Sequence, residues 1–335
     1  MGNNNAVQDE ILKIITNSPA WLIISHEKPD GDTVGCAVAL TRLGMRLSKN
    51  VMLICPDPCP VKYDFITGGL EFNVRKHLPE DFPGPGGVII CVDASTTARS
   101  YPELLDRASC PVINIDHHED NESYGDVNWI DLTASATGEM IASLIASSSW
   151  DMTTDEAEAL YVALITDNGG FSYASTTFNS HLRAMTLLEA GVSPDKIAEK
   201  LNSNLTEGVL QLWGRALVRA TVFSEGDCAV YWLSRDDFAE TGAAQDATEN
   251  LVNLLLRIKG VKMAALCSEL PDREGYVRVS LRARSPFNAR EVAKIFGGGG
   301  HDLASGCVIQ APLTEAVSML RREMNSHVSG ISADR

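Results

Sequence analysis

The chain has 335 residues, of which 44% are hydrophobic and 21% charged, the balance of a folded chain and not of a disordered one. Twenty-eight Lys and Arg against 44 Asp and Glu leave a formal charge of −16. A surface of that sign repels long nucleic acids, whose binding rests on neutralising many phosphates, so any anionic ligand is expected to be small and met by a local basic patch or by metal ions.

Domains usually hold about 100–200 residues, so two are expected. The eight cysteines are scattered, and Cys55 and Cys59 lack a second pair to complete a zinc site, so all are read as reduced thiols. Apolar runs are only a few residues long, which excludes a transmembrane helix. The opening MGNNNAVQDEILK lacks the basic-then-apolar order of a secretory signal. A cytoplasmic protein is expected, with no membrane partner.

In chain order, β-like runs stand at 21–25 (WLIIS), 51–55 (VMLIC), 87–93 (GVIICVD) and 111–116 (PVINID). Helical spacing appears at 34–47, at 135–148 with a start near Ser135 or Thr137, and at 155–166 with Thr153 or Thr154 as N-cap. Strand alternating with helix predicts an α/β fold with a parallel sheet in the first domain, 1–185. The stretch 193–219 reads as helix, and 186–215 is taken as a helical linker. The second domain, 216–335, is expected to be smaller and mixed α/β, with strands at 228–233, 261–270 and 276–285, a helix around 246–258 and a last helix near 313–325. An active-site cleft between the two domains is expected.

Three of the first four β-like runs end at or run into metal-ligand residue types. His26, Asp30 and Asp32 follow the first, Asp93 ends the third, Asp116, His117 and His118 close the fourth, and Asp167 follows the helix 155–166. In open α/β sheets, ligands bind beyond the carboxyl ends of the strands, where these side chains would converge. A single Asp at a strand end is an ordinary turn or cap residue; four such elements at successive places in an α/β pattern point to a metal site. Asp30, Asp32, Asp93 and Asp167 would repel one another if left alone. Two divalent cations about 3.5–4 Å apart would neutralise them and activate water for attack on phosphorus. Asp and His donors suit Mn²⁺ or Mg²⁺.

The motifs H-E-K-P-D-G-D, V-D, D-H-H and T-D-N-G-G-F, in that order, resemble the four amino-terminal motifs of the DHH phosphoesterase family. V-S-L-R-A-R and G-G-G-G-H-D-L-A-S-G resemble its DHH-associated carboxy-terminal domain. The resemblance spans about 20 to 325 and is closest to the stand-alone nano-RNase branch, which cleaves very short oligoribonucleotides and dephosphorylates 3′-phosphoadenosine 5′-phosphate. It implies two Mn²⁺ ions, with Mg²⁺ or Co²⁺ as substitutes. His26 and Asp30 would hold one ion, Asp32, His117 and Asp167 the other, and Asp93 both. His118 would face the substrate phosphate and Asp116 would support it from behind. The chain departs from the family pattern at Cys36, Asn168 and Ser305 without losing a ligand.

In the second domain, strict alternation over 276–285 puts Arg278, Ser280, Arg282 and Arg284 on one strand face. From Tyr276 to His301 there are five basic residues and one acidic one, inside a chain of −16. Glycines 297–300 have no Cβ and let backbone N–H groups approach an anion. Arg282, Arg284, Gly298, Gly299, Gly300 and His301 are therefore the expected substrate-binding set, with Arg282 and His301 favoured by the resemblance. The expected activity is a two-metal hydroxide attack on nano-RNA or on 3′-phosphoadenosine 5′-phosphate. A phosphodiesterase for linear dinucleotides such as pApA is the alternative, and a non-catalytic nucleotide-binding regulator the reading from another class. Short RNA or small nucleotides are the expected partners, and a homodimer is compatible with the sequence.

Overall fold

The structure is a computed structural model that describes residues 2–106, 110–202, 205–248 and 251–333. The chain divides into two compact units, Met1–Asn204 and Leu205–Arg335. No described helix is long and apolar enough to cross a membrane.

The first unit contains, in order, α1 (Gly2–Asn17), β1 (Ala20–Ile24), α2 (Gly31–Arg46), β2 (Asn50–Cys55), α3 (Asp64–Thr67), β3 (Asn73–Val74), β4 (Val88–Val92), β5 (Val112–Asp116), β6 (Val127–Ile130), α4 (Thr137–Ser147), α5 (Thr154–Asp167), α6 (Phe178–Glu189) and α7 (Pro194–Asn202). Its strands form one parallel sheet ordered β3-β2-β1-β4-β5-β6. β1, β4 and β5 are buried along their whole length, which is why they read as unbroken apolar runs and not as alternating ones. Trp21 and Ile23 pack on the side of α2, α4 and α5, while Leu22 and Ile24 face Tyr101 and Leu104 on the other. The strand order reverses between β1 and β4, so a crevice opens beyond their carboxyl ends.

Helices α2 and α5 approach closely because glycine stands at the contact. A Cβ on Gly35 would lie 2.2 Å from the Ala159 carbonyl oxygen, and one on Gly31 would lie 2.2 Å from Thr166 Oγ1. This brings the first turn of α2 against the last turn of α5. Thr153 caps α5 in a reciprocal box with Glu156. The buried Glu156 carboxylate also takes two bonds from Arg46 of α2, at 3.0 and 3.1 Å.

The second unit contains α8 (Glu207–Val218), β7 (Thr221–Phe223), β8 (Cys228–Leu233), α9 (Arg235–Thr241), β9 (Met263–Leu270), β10 (Arg273–Ala283), α10 (Ala289–Ile295), β11 (Gly299–Gly300), β12 (Ala304–Gln310) and α11 (Leu313–Ala333). The sheet is mixed, ordered β11-β12-β10-β9-β8-β7, with β8 and β9 parallel and the other pairs antiparallel. One face packs on α10 and α11 and the other on Leu212 and Ala216 of α8 and on Leu251, Val252 and Leu255.

Some expectations are corrected. The helix expected around 246–258 is two 3-10 segments, Gln245–Thr248 and Leu251–Arg257, with residues 249–250 outside those described. Val252 and Asn253 are weak helix formers, and the run buries adjacent side chains instead of one helical stripe. The helix read over 193–219 is the pair α7 and α8, with residues 203–204 outside those described. β10 ends at Ala283, so Arg284 stands beyond the arginine-bearing strand, its Nη2 donating to the Leu256 carbonyl at 2.8 Å.

Candidate metal centre

Local structure fixes each acidic side chain before any ligand is considered. Asp30 is the N-cap of α2, its Oδ1 accepting from the amides of Asp32 and Thr33 at 3.1 and 3.2 Å. Asp32, in the first turn of α2, sends its carboxylate across to the start of α4. Thr137 N donates to Oδ2 at 2.6 Å and Gly138 N to Oδ1 at 2.8 Å, so the positive end of α4 holds this carboxylate. Asp93 follows β4 with φ +58, a left-handed conformation that Asp tolerates better than most residues, and its Oδ1 accepts from Thr137 Oγ1 at 3.2 Å. Asp167 is the last residue of α5.

Both central histidines are oriented through Nδ1 by a backbone carbonyl. His26 Nδ1 donates to Glu27 O at 2.6 Å and His117 Nδ1 to Ala134 O at 3.3 Å. That leaves each Nε2 facing the carboxylates, the arrangement found where histidine ligates a metal. His26 Nε2 lies 3.5 Å from Asp93 Oδ2 and 3.8 Å from Asp30 Oδ1. His117 Nε2 lies 3.2 Å from Asp167 Oδ2 and 3.8 Å from both Asp32 Oδ2 and Asp93 Oδ1. Asp93 thus turns one oxygen toward each histidine. The buried His117 Nε2 has no hydrogen-bond partner among the described residues, which suits a cation ligand better than a core contact.

Among the described residues, three groups have ligand atoms that lie within 4.8 Å of one another: His26, Asp30 and Asp93; Asp32, His117 and Asp167; and Asp93, His117 and His118. These donors fit hard-to-borderline divalent ions. The electrostatics agree. Burial, then the neighbouring carboxylates of Asp93, Asp167 and Asp30, push Asp32 well above the usual carboxylate range. Burial also leads at Asp167, raised to about 6 with Asp93 and Asp30 adding to the rise. Burial would lower His26, yet its bonds to Asp30 and Asp93 raise it to about 10. Protein alone satisfies this cluster poorly.

His118 is held differently. Its Nδ1 donates to Asp116 Oδ1 at 2.7 Å, and that bond raises it to about 9. Asp116 is fully buried at the end of β5 and also accepts from His117 N and Asn121 Nδ2. Asp116 therefore meets the cluster through His118. In the second unit, Arg278, Arg282 and Gly297 to Gly300 line one cavity of about 1000 Å³, together with Gln245 and Thr248, whereas Arg284 and His301 do not line it. The glycines also serve packing: a Cβ on Gly298 would lie 2.2 Å from Gly306 O, and β11 pairs with β12 through Gly299 and Gly300.

Sequence reasoning missed Thr137 and the two α4 amides. A hydroxyl at a helix start was the only signal, and their partner Asp32 lies more than a hundred residues earlier.

Comparison with known proteins covers both units. The family model described as "DHH family, N-terminal domain" matches residues 21–164, and the DHHA1 domain model matches 226–329. The chain is 27% identical over 301 residues to the bifunctional oligoribonuclease and PAP phosphatase NrnA of Thermus thermophilus, covering 90% of this chain and 87% of that one. It is 31% identical over 296 residues to an uncharacterized MG371 homolog of Mycoplasma pneumoniae, covering 85% and 84%. The crystal structure of an exopolyphosphatase-related protein from Bacteroides fragilis superposes with a TM-score of 0.85 at 26% identity, covering 96% of each chain.

Proposed function

Because this chain belongs to the DHH family, with a DHHA1 domain after its DHH domain, we propose that it hydrolyses short oligoribonucleotides to mononucleotides and converts 3′-phosphoadenosine 5′-phosphate to AMP. It is a phosphoesterase. The observation that carries the substrate reading is the set of three interlocking ligand groups joined by Asp93 and His117, in a chain that aligns over 90% of its length with a relative named for both activities.

Two Mn²⁺ ions, with Mg²⁺ or Co²⁺ as substitutes, suit the donors: His26 and Asp30 for one, Asp32, His117 and Asp167 for the other, and Asp93 for both. Such ions, when bound, polarise a phosphoryl oxygen and make water a better nucleophile. The chain's own residues do the rest. Thr137 and the α4 amides keep Asp32 and Asp93 in place. His118, oriented through Nδ1 by Asp116, has Nε2 left to meet charge developing on the phosphoryl oxygens or the leaving group. Arg282 and the neighbouring glycines of the second unit bind the nucleotide, as an arginine fork suits phosphate and a backbone without Cβ atoms lets the ligand come close.

The test is product release from the bisphosphate and from two- to five-nucleotide RNAs, with and without Mn²⁺. AMP and mononucleotides are expected only with metal, and Asp93→Ala should abolish both while lowering bound metal. Nucleotide binding without turnover in Mn²⁺, Mg²⁺ or Co²⁺ would make the protein a binding module and overturn the reading.

A further inference from the structure

Arg99 ends the 3-10 turn Thr97–Arg99, six residues beyond Asp93. Its backbone is fixed without help from its side chain. The Arg99 carbonyl accepts from Glu27 N at 2.7 Å and its N–H donates to Thr96 O at 3.3 Å. The loop before it is held by Tyr124 Oη on Ala94 O at 3.0 Å and by Glu122 N on Ser95 O at 2.9 Å. Arg99 is a half-buried residue beside the metal centre, with its Nη2 3.4 Å from His26 Nδ1.

That contact is not a bond. His26 Nδ1 already donates to Glu27 O at 2.6 Å, and an arginine nitrogen is also only a donor. Among the described residues, no carboxylate lies within ion-pair distance of Arg99, whereas Arg46, Arg215, Arg219 and Arg290 each have one. A permanently charged fork with a fixed base, near the centre and lacking an internal anion, is arranged for an external one. The reacting phosphate is the anion this location would receive.

We propose that Arg99 is a phosphate-binding residue of the metal centre, contacting the non-bridging oxygens of the ester while the metal ligands and His118 act on the same group. The inference rests on the phosphoesterase reading and adds to it the cation that offsets substrate charge in a strongly acidic chain. A role in propping His26 is the competing account, and it is disfavoured because it sets donor against donor.

The experiment compares the metal-loaded protein with Arg99→Ala and Arg99→Lys. Calorimetric titration with inorganic phosphate should show binding about tenfold to a hundredfold weaker in Arg99→Ala, the range that one charge-assisted contact supplies. Metal content should match the parent. Hydrolysis of bis-p-nitrophenyl phosphate should fall in Arg99→Ala and recover in part on adding guanidinium, with Arg99→Lys intermediate. Equal phosphate affinity in parent and Arg99→Ala overturns the proposal, and so does loss of metal from the variant, which would assign Arg99 to His26. A parent that binds phosphate but hydrolyses no ester defeats the phosphoesterase reading alone, and the titration still decides Arg99.

Discussion

Asp32→Asn separates a metal ligand from a structural carboxylate by how far Mn²⁺ moves the parent's stability away from the variant's. Asp32 is 2% exposed, and each of its oxygens accepts one α4 amide. Asparagine offers one oxygen and one NH₂, so one amide is set against a donor, at a cost of about 1–3 kcal/mol. On the other side, the Asp32 and Asp167 oxygens lie within 4.8 Å. Two like charges at that separation repel by about 3.5 kcal/mol at an effective dielectric of 20, and Asp93 adds to this. Proton uptake by the parent limits that penalty, so in chelator the variant should melt within a few degrees of the parent or above it. In Mn²⁺ at a hundred times its dissociation constant, the parent gains about 2.7 kcal/mol, and the variant gains little. Calorimetry of both proteins in EDTA and in Mn²⁺, with metal content measured alongside, should show the Mn²⁺ shift in the parent and almost none in the variant. A variant several kcal/mol less stable in EDTA, with the parent's full Mn²⁺ shift, would refute the reasoning and leave Asp32 as an anchor for α4.

Other outcomes follow from the same geometry. Arg282→Ala should lower kcat/KM on short nucleotides by about 2–3 kcal/mol, while metal content and hydrolysis of bis-p-nitrophenyl phosphate stay near the parent's; equal loss on both substrates would remove Arg282 from recognition. Glu156→Ala breaks the α5 capping box and removes one of the anchors of Arg46, which keeps its bond to the Asp151 carbonyl, and chemical denaturation should show a loss of about 1–2 kcal/mol in the first unit. In the second unit, burial would raise Asp237, but its bonds to Arg219 and Ser234 hold it far below the usual carboxylate range. Its stabilisation is therefore complete above the unfolded value, about pH 4, and is lost as pH falls toward the folded one. Asp237→Asn should flatten acid unfolding of that unit, and an unchanged acid transition would contradict the pairing.

Much of the first unit was legible because β1, β4 and β5 are buried on both faces, which leaves an apolar run bounded by polar residues. Several acidic and histidine residues were legible for a related reason: His26, Asp93 and Asp116 to His118 stand where such a run stops, and Asp167 where a helix does. β6 escaped notice as a four-residue edge strand with alternating burial, and α1 because its asparagine-rich start hides the Ile11 and Ile15 stripe. β12 was given no element of its own, since Ser305 and Gly306 dilute its apolar pattern. The support around the cluster was harder to see. Backbone donors such as Gly138 N and acceptors such as Ala134 O have no residue type to mark them, and Arg99 is a lone cation with no charge pattern around it.

Gly35 gives the first unit a built-in caliper. Because a side chain there would run into the Ala159 carbonyl, the spacing of α2 and α5 is set by bare backbone at the crossing. Asp32 rides on one of those helices and Asp167 on the other. One added methyl at residue 35 would spread the jaws and widen the gap between the two carboxylates without touching either. Cations differ in size by only tenths of an ångström, with about 2.0–2.1 Å to oxygen for Mg²⁺ against 2.3–2.6 Å for Ca²⁺. Ion preference could therefore be retuned from the back of the helix pair, at a residue that never meets the ion.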